Sequence, residues 1–518
     1  MLSPLIIGIA ALAGIGFCDT TLTQQPILWE DLADLDVFRV NDTFYYSAST
    51  MHYSPGAPIL SSKDLVNWEY IGHSVPSLDW GSKYSLEDGG SAYVKGVFAS
   101  TLRVRPSDGR WFWVGCVEYS KTYIYTAPSA KGPWTQLVEF SDKCYYDCGL
   151  LFDDDGTPYV AFGGTNIEVA QLSTDLKSQV SSEVVHTYDV YAEGSRLYKV
   201  DETYYILNVD PSTAIEYVLK SSSIWGPYES AILANAPSCP SEVGGRAHQG
   251  GIVDDPNGNW YYMAFCDSYP GGRVPVLAPI EFPSSGFPRL PDLNSWPKSV
   301  TVPLATVPQK SLSYTDSFSG TSLSPQWEWN HNPNTNAYSV NNKLILHTAT
   351  VTNDLYHAQN TLTHRALGPS SAATIKLDIS DMHSGDRAGL AIFRDLSAWV
   401  GIINNGDNKV VGVWTDLKMT IADGSWSTVD VGSLEASENI GSSGSIYLRA
   451  HGNFSPTSDL AVQFSYSTNG HSFTNIGSVF TMGTKWEFFM GHRYGIFNFA
   501  TKSLGGKVTV SSFTMEAV

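Results

Sequence analysis

Three acidic residues and a histidine stand at comparable places along this chain, each just before a strand-like segment. Asp34 precedes VFRVNDTFYYSAS, Asp147 lies in CYYDCGLLFDDDG, Glu193 in YAEGSRLYKVDETYY and His248 in RAHQGGIVDDPNG. Carboxyl groups gathered at one point are the residue type of general acid and base catalysis, one giving a proton and another taking one. The separations are 113, 46 and 55 residues, near two, one and one lengths of a repeat of about 54 residues. A lone acid before a strand is ordinarily a turn or cap residue; three in register with a repeat are not so easily explained.

The elements that would position them repeat as well. Five copies of strand, polar turn and aromatic strand begin at Val37, Leu102, Leu150, Arg196 and Gly251, with central aromatics Tyr45, Phe112, Tyr159, Tyr205 and Tyr261. Each of the first four is followed by a further apolar strand and polar turn, as in YIYTAPSAKGPWTQL. Four antiparallel strands and their turns need about this much chain, and a single such sheet cannot bury both faces, so five close radially. The expectation is a five-bladed β-propeller over 26–300, in which the innermost strands start around one mouth on the axis. Unclosed packing of the same hairpins as a sandwich is the alternative. Past the proline-rich FPRLPDLNSWP the pattern changes to alternating strands such as KLILHTAT, RAGLAIFR and DLAVQFSYS, predicting a β-sandwich over 311–518. The sandwich acids, Asp378 and Asp381 among them, fall in turn-like segments with no constellation, so no chemistry is expected there.

Composition agrees. The chain has 518 residues, long enough for two cores, and 13% aromatic residues with 45 Gly and 27 Pro mark many short strands, so the fold class is all-β. A net charge of −20 argues against nucleic acid as a partner. The apolar run 5–17 is too short for a membrane span and suits a secretory leader over 1–18, so a secreted, extracellular protein with no membrane partner is expected. Two sequons, at Asn41 and Asn453, fit glycosylation. Beyond Cys18, five cysteines allow two disulfides and one free thiol in several pairings.

With these residues in view, ADLDVFRVNDTFYYSASTMHYSPGAP, YYDCGLLFDDDG, EGSRLYK, AHQGGIV and GGRVPVLAPI resemble the successive signatures of glycoside hydrolase family 43, and the distal half resembles the concanavalin-like sandwich often joined to it. The resemblance implies an inverting glycosidase with Asp34 as general base, Glu193 as general acid and Asp147 as the carboxylate that orients Glu193 and raises its pKa. Inversion needs the acid and base on opposite faces of the sugar, about 6.5–9.5 Å apart, which an axial funnel supplies. Asp36 competes with Asp34, but strand alternation turns it the other way. The resemblance also makes His248 an axial residue that holds water or an ion, Arg273 a substrate contact and Phe98 a wall where relatives commonly carry Trp. No cofactor is required, and a structural calcium on the axis is a candidate. Leu35 departs from the family's usual Pro. Tyr146 and its neighbour Tyr145 adjoin Asp147 and could shape a sugar pocket or pack as core; His52 and Tyr53 could line a subsite or pack in a loop. FDDDG and VDDPNG read as hairpin turns in preference to calcium loops. The loop details are similar to fungal arabinofuranosidases that remove arabinose from arabinoxylan, including O3-linked arabinose on doubly substituted xylose. The expected partner is therefore plant cell-wall arabinoxylan, and the expected state a monomer. A β-xylosidase and a non-catalytic carbohydrate-binding protein are the other readings.

Overall fold

The computed structural model describes residues 21–441 and 444–518; the leader expected over 1–18 lies outside them. Five antiparallel sheets follow one another in sequence. Their innermost hairpins are Asp36–Val40 with Thr43–Ser47, Thr101–Val104 with Trp111–Val117, Gly149–Phe152 with Pro158–Gly164, Glu193–Val200 with Thr203–Asp210, and Ala247–Asp254 with Trp260–Asp267. These are the five repeats of the sequence. Four sheets have four strands and the fifth has three, ending at Arg273–Ile280. The inner strands neighbour one another in a ring, and the fifth meets the first, so the sheets form a five-bladed propeller rather than an open stack. Buried Val37, Leu102, Leu150, Leu197 and Ile252 face neighbouring blades, which is where the apolar positions of each repeat find their partners.

Closure needs no strand shared between first and last blades. Arg39 of the first inner strand instead donates to the Asp254 carbonyl of the fifth at 2.9 Å, while Thr21–Gln24 pairs antiparallel with Ser299–Val302. Two disulfides, Cys116–Cys144 and Cys239–Cys266, brace the second blade and the approach to the fifth; Cys148 is a buried free thiol.

The distal half is a sandwich of two antiparallel sheets. One carries Ser370–Asp378 between Lys507–Ala517 and Ser445–Asn453, and the other carries Asp386–Phe393 between Arg493–Ala500 and Leu396–Asn404. Ile375, Leu390, Val400, Leu448, Phe464 and Ile496 fill the space between them. The second sheet does not stop at the domain boundary: Tyr53–Ser54 of the first blade pairs with Trp329–Asn330 as its edge strand. Behind that seam, buried Glu328 accepts from Arg493 at 2.6 Å and lies 3.0 Å from both Arg365 and His73 of the first blade. The Arg493 guanidinium sits 3.5 Å over the Tyr53 ring. His52 and Tyr53 are thus fully buried in the seam, His52 accepting the Val94 amide, and neither lines a sugar subsite. They pack as core because the sandwich covers the loop that would otherwise expose them.

Candidate active site

A cavity of about 510 Å³ opens at the axial mouth. All seven site residues expected from the sequence line it: Asp34, Phe98, Tyr146, Asp147, Glu193, His248 and Arg273. The chain brings the acids there by bending just ahead of the inner strands. Asp34 has φ 53° and Asp147 φ 48°, in the left-handed region that Asp tolerates better than most side chains. Gln249, at φ 45°, lies in a bulge of the fifth inner strand between His248 and Gly251.

Asp34 is held from two sides. Arg273 Nη1 donates to Oδ1 at 2.7 Å, and the Ser49 hydroxyl donates to Oδ2 at 2.7 Å. Asp36, two residues on, points away, buried between blades where it accepts from Thr101 Oγ1 at 2.8 Å and pairs with Arg103. Asp147 accepts from the Gln249 amide at 3.3 Å. Burial first, then the charges of Glu193 and Asp34, push its carboxyl well above the ordinary range. Glu193 accepts from Tyr146 Oη at 2.6 Å. Its carboxyl is also raised, with burial as the leading cause and the Tyr146 and Tyr191 hydroxyls pulling the other way. Burial leads at Glu193, and the like charge that follows is that of Asp34 rather than of Asp147, on which the sequence argument relied. Buried Asp147 and half-buried Glu193, both shifted toward the protonated form and the first raised by the charge of the second, act as a pair that keeps a proton.

Several contributors were not singled out in the sequence. Arg196, fully buried in the fourth inner strand, donates to the carbonyls of Asp34 at 2.8 Å, Leu35 at 3.1 Å and Cys148 at 2.7 Å. One guanidinium thereby fixes the backbone at Asp34 and beside Asp147; a lone Arg inside the apolar strand of EGSRLYK was the available signal. Tyr119, 62% exposed, extends a wall with Phe98 at 5.1 Å and Tyr146 at 5.7 Å between ring centres. The sandwich also reaches the cavity, through Trp486 and Phe489. The sandwich, from which no chemistry is expected, thus supplies walls. Tyr145 does not: it is buried, donating to Gln179 at 3.0 Å.

His248 points one ring nitrogen at the Arg246 carbonyl, 2.9 Å away, and presents the other toward the cavity, 3.9 Å from Asp267. Among the described residues no three His, Cys, Asp or Glu side chains come together as a metal cage. A hard cation beside His248 would have to take most of its six to eight ligands from water. The Asp-rich turns are occupied otherwise: Asp153 accepts from Lys199 and Tyr204, and Asp255 caps its own turn through the Asn257 and Asn259 amides.

The family model described as Glycosyl hydrolases family 43 matches residues 23–288, and that of the β-xylosidase C-terminal concanavalin A-like domain matches 315–516. A β-xylosidase of Formosa agariphila is 28% identical over 95% of this chain and 90% of its own length. A non-reducing end α-L-arabinofuranosidase of Bacteroides ovatus is 27% identical over 54% of this chain and 56% of its own. Among solved structures, a family 43 enzyme engineered at its active site to display both endo-xylanase and exo-arabinofuranosidase activity is 41% identical, with a TM-score of 0.92 over 96% of this chain and all of that one. A propeller whose axial cavity gathers Asp34, Asp147 and Glu193, continued by a sandwich of this type, places the chain in glycoside hydrolase family 43, with relatives that act as xylosidases and arabinosidases.

Proposed function

We propose that this enzyme is a secreted, inverting α-L-arabinofuranosidase that removes arabinose side chains from arabinoxylan, those O3-linked to doubly substituted xylose included. The observation that carries the reading is the cavity's lining: Asp34, Asp147 and Glu193 share one space with the aromatic side chains of Tyr146, Phe98, Tyr119 and Trp486. A cavity of about 510 Å³ has room for a terminal sugar, and a side branch presents one at every decorated xylose. The 41% identical engineered enzyme, which displays exo-arabinofuranosidase beside endo-xylanase activity, supports arabinose as that sugar.

In this reading the Asp147–Glu193 pair retains a proton, and Glu193 delivers it to the glycosidic oxygen as the bond to the anomeric carbon breaks. Water attacks from the opposite face and gives its proton to Asp34, whose oxygens are aimed by Arg273 and Ser49. Configuration at the anomeric carbon inverts. Asp147, held by Gln249, orients the acid. A β-xylosidase is the second reading, favoured by the Formosa relative, which matches nearly the whole chain, and by the sandwich residues at the pocket. Incubation with arabinoxylan separates the two: release of arabinose without xylose supports the first, and release of xylose from the non-reducing ends of xylo-oligosaccharides at a higher kcat/KM replaces it with the second.

A further inference from the structure

The wall supplied by the sandwich meets the propeller around one buried carboxylate, beside a backbone bond from the His492 amide to the Pro270 carbonyl at 2.9 Å. Asp31, three residues before Asp34 and only 6% exposed, accepts the backbone N–H of Arg273 on Oδ1 at 2.8 Å and the backbone N–H of Gly491 on Oδ2 at 3.0 Å. The first donor belongs to the residue whose guanidinium holds Asp34. The second belongs to the sandwich, two residues beyond Phe489, and the Phe489 carbonyl accepts from Arg273 Nε at 2.9 Å. The Leu32 amide donates to the Arg273 carbonyl, also at 2.9 Å. Arg273 is therefore gripped at its amide, its carbonyl and two guanidinium nitrogens, by partners from both domains.

The seam around this grip has no slack. A Cβ on Gly491 would lie 2.3 Å from the Gly271 carbonyl oxygen, and one on Gly272 would lie 2.4 Å from Asp31 Oδ1. On the sandwich side, fully buried Arg394 donates to the Met490 carbonyl at 2.6 Å and also to the Lys485 carbonyl, pinning both ends of the segment that presents Trp486 and Phe489.

We propose that Asp31 is a positioning residue for hydrolysis: it sets the sandwich segment Phe489–Gly491 in register with Arg273 and, through the Arg273 ion pair, fixes the orientation of the Asp34 carboxylate. The proposal rests on Asp34 being the general base. A base must face the attacking water at hydrogen-bond distance, and a misplacement of about 1 Å can cost on the order of 10²-fold in rate. Beyond the walls that Trp486 and Phe489 supply, the sandwich then acts on the base through the Gly491 amide and the Phe489 carbonyl.

The test compares full-length Asp31→Ala, Asp31→Asn and Asp34→Ala with the wild type, on arabinoxylan and on an aryl arabinofuranoside with an acidic phenol, with rates normalised to folded protein from thermal melts. Asp31→Ala should lose about 10- to 100-fold in kcat on both substrates with KM within about threefold, a split that mere loosening of the domains would not produce. Asp31→Asn keeps one acceptor oxygen and its shape, so it should fold and lie between the two. Asp31 variants with wild-type kcat per folded molecule, beside an inactive Asp34→Ala, would overturn the positioning role alone. An Asp34→Ala enzyme still active on the aryl substrate would remove the base assignment and the proposal with it. Should Asp31→Ala not fold, the asparagine variant decides: an undiminished kcat refutes the role.

Discussion

Replacing Tyr146 by Phe takes one hydroxyl from Glu193 and leaves the ring in the pocket wall. That hydroxyl donates to Glu193 Oε2 at 2.6 Å, and burial with the charges of Asp147 and Glu193 holds the phenol far above its ordinary range, so it remains a donor at every working pH. A bond donated to a carboxylate favours the ionised form, and its loss should let Glu193 keep its proton to higher pH. Hydrogen bonds to charged groups contribute about 1.5–3 kcal/mol, which at about 1.4 kcal/mol per pKa unit is about one to two units. Tyr191, which also lowers Glu193, and incoming water recover part of this, leaving about one unit. The assay is the pH profile of kcat/KM, whose alkaline limb reports the acid of the free enzyme as part of its coupled pair. On arabinoxylan that limb should move up by about one pH unit. On an aryl arabinofuranoside whose phenol departs without a proton, it should stay. A limb that stays or moves down on arabinoxylan, or shifts equally on both substrates, refutes the assignment of Glu193 as acid.

Glu193→Ala should lose about 10²–10⁴-fold on arabinoxylan and far less on that aryl substrate, whereas Asp34→Ala should lose activity on both, since water must be deprotonated whatever leaves. Proton NMR during turnover should show β-arabinose forming first; initial α-arabinose would mean a covalent intermediate and would end the inverting mechanism. Tyr146→Ala, which opens the wall beside Asp147, should admit bulkier substrates, as measured by products from differently decorated xylo-oligosaccharides. In the seam, Glu328→Gln leaves Arg365 and Arg493 buried without their counter-charge, and should cost about 3–5 kcal/mol, read by denaturant unfolding.

Residues that repeat were legible in the sequence, and residues whose meaning depends on the partner domain were not. The inner hairpins announced themselves because each must present the same apolar face to its neighbours, so Val37, Leu102, Leu150 and Leu197 recur in phase, and the acids just ahead of them inherit that phase. Asp36 could be set aside by strand alternation alone. His52 and Tyr53 could not be resolved, because only the pairing of Tyr53–Ser54 with Trp329–Asn330 buries them. Trp486 and Phe489 belong to KWEFFMGHRYG, which reads as a sandwich connection until the fold lays it across the propeller axis. Asp31 was hidden for the same reason: both of its donors are backbone amides distant in sequence, and backbone amides leave no trace in residue type.

The strand Tyr53–Ser54 has a consequence for how the chain is made. It is synthesised early, yet its partner Trp329–Asn330 follows about 275 residues later, and ribosomes add roughly 5–20 residues per second. For roughly 15–55 seconds the connection between the second and third strands of the first blade is without its partner strand, and His73 without a glutamate not yet translated. Production yield should accordingly respond to chaperone supply and to slower or faster translation of the intervening codons, even when the finished enzyme is unchanged.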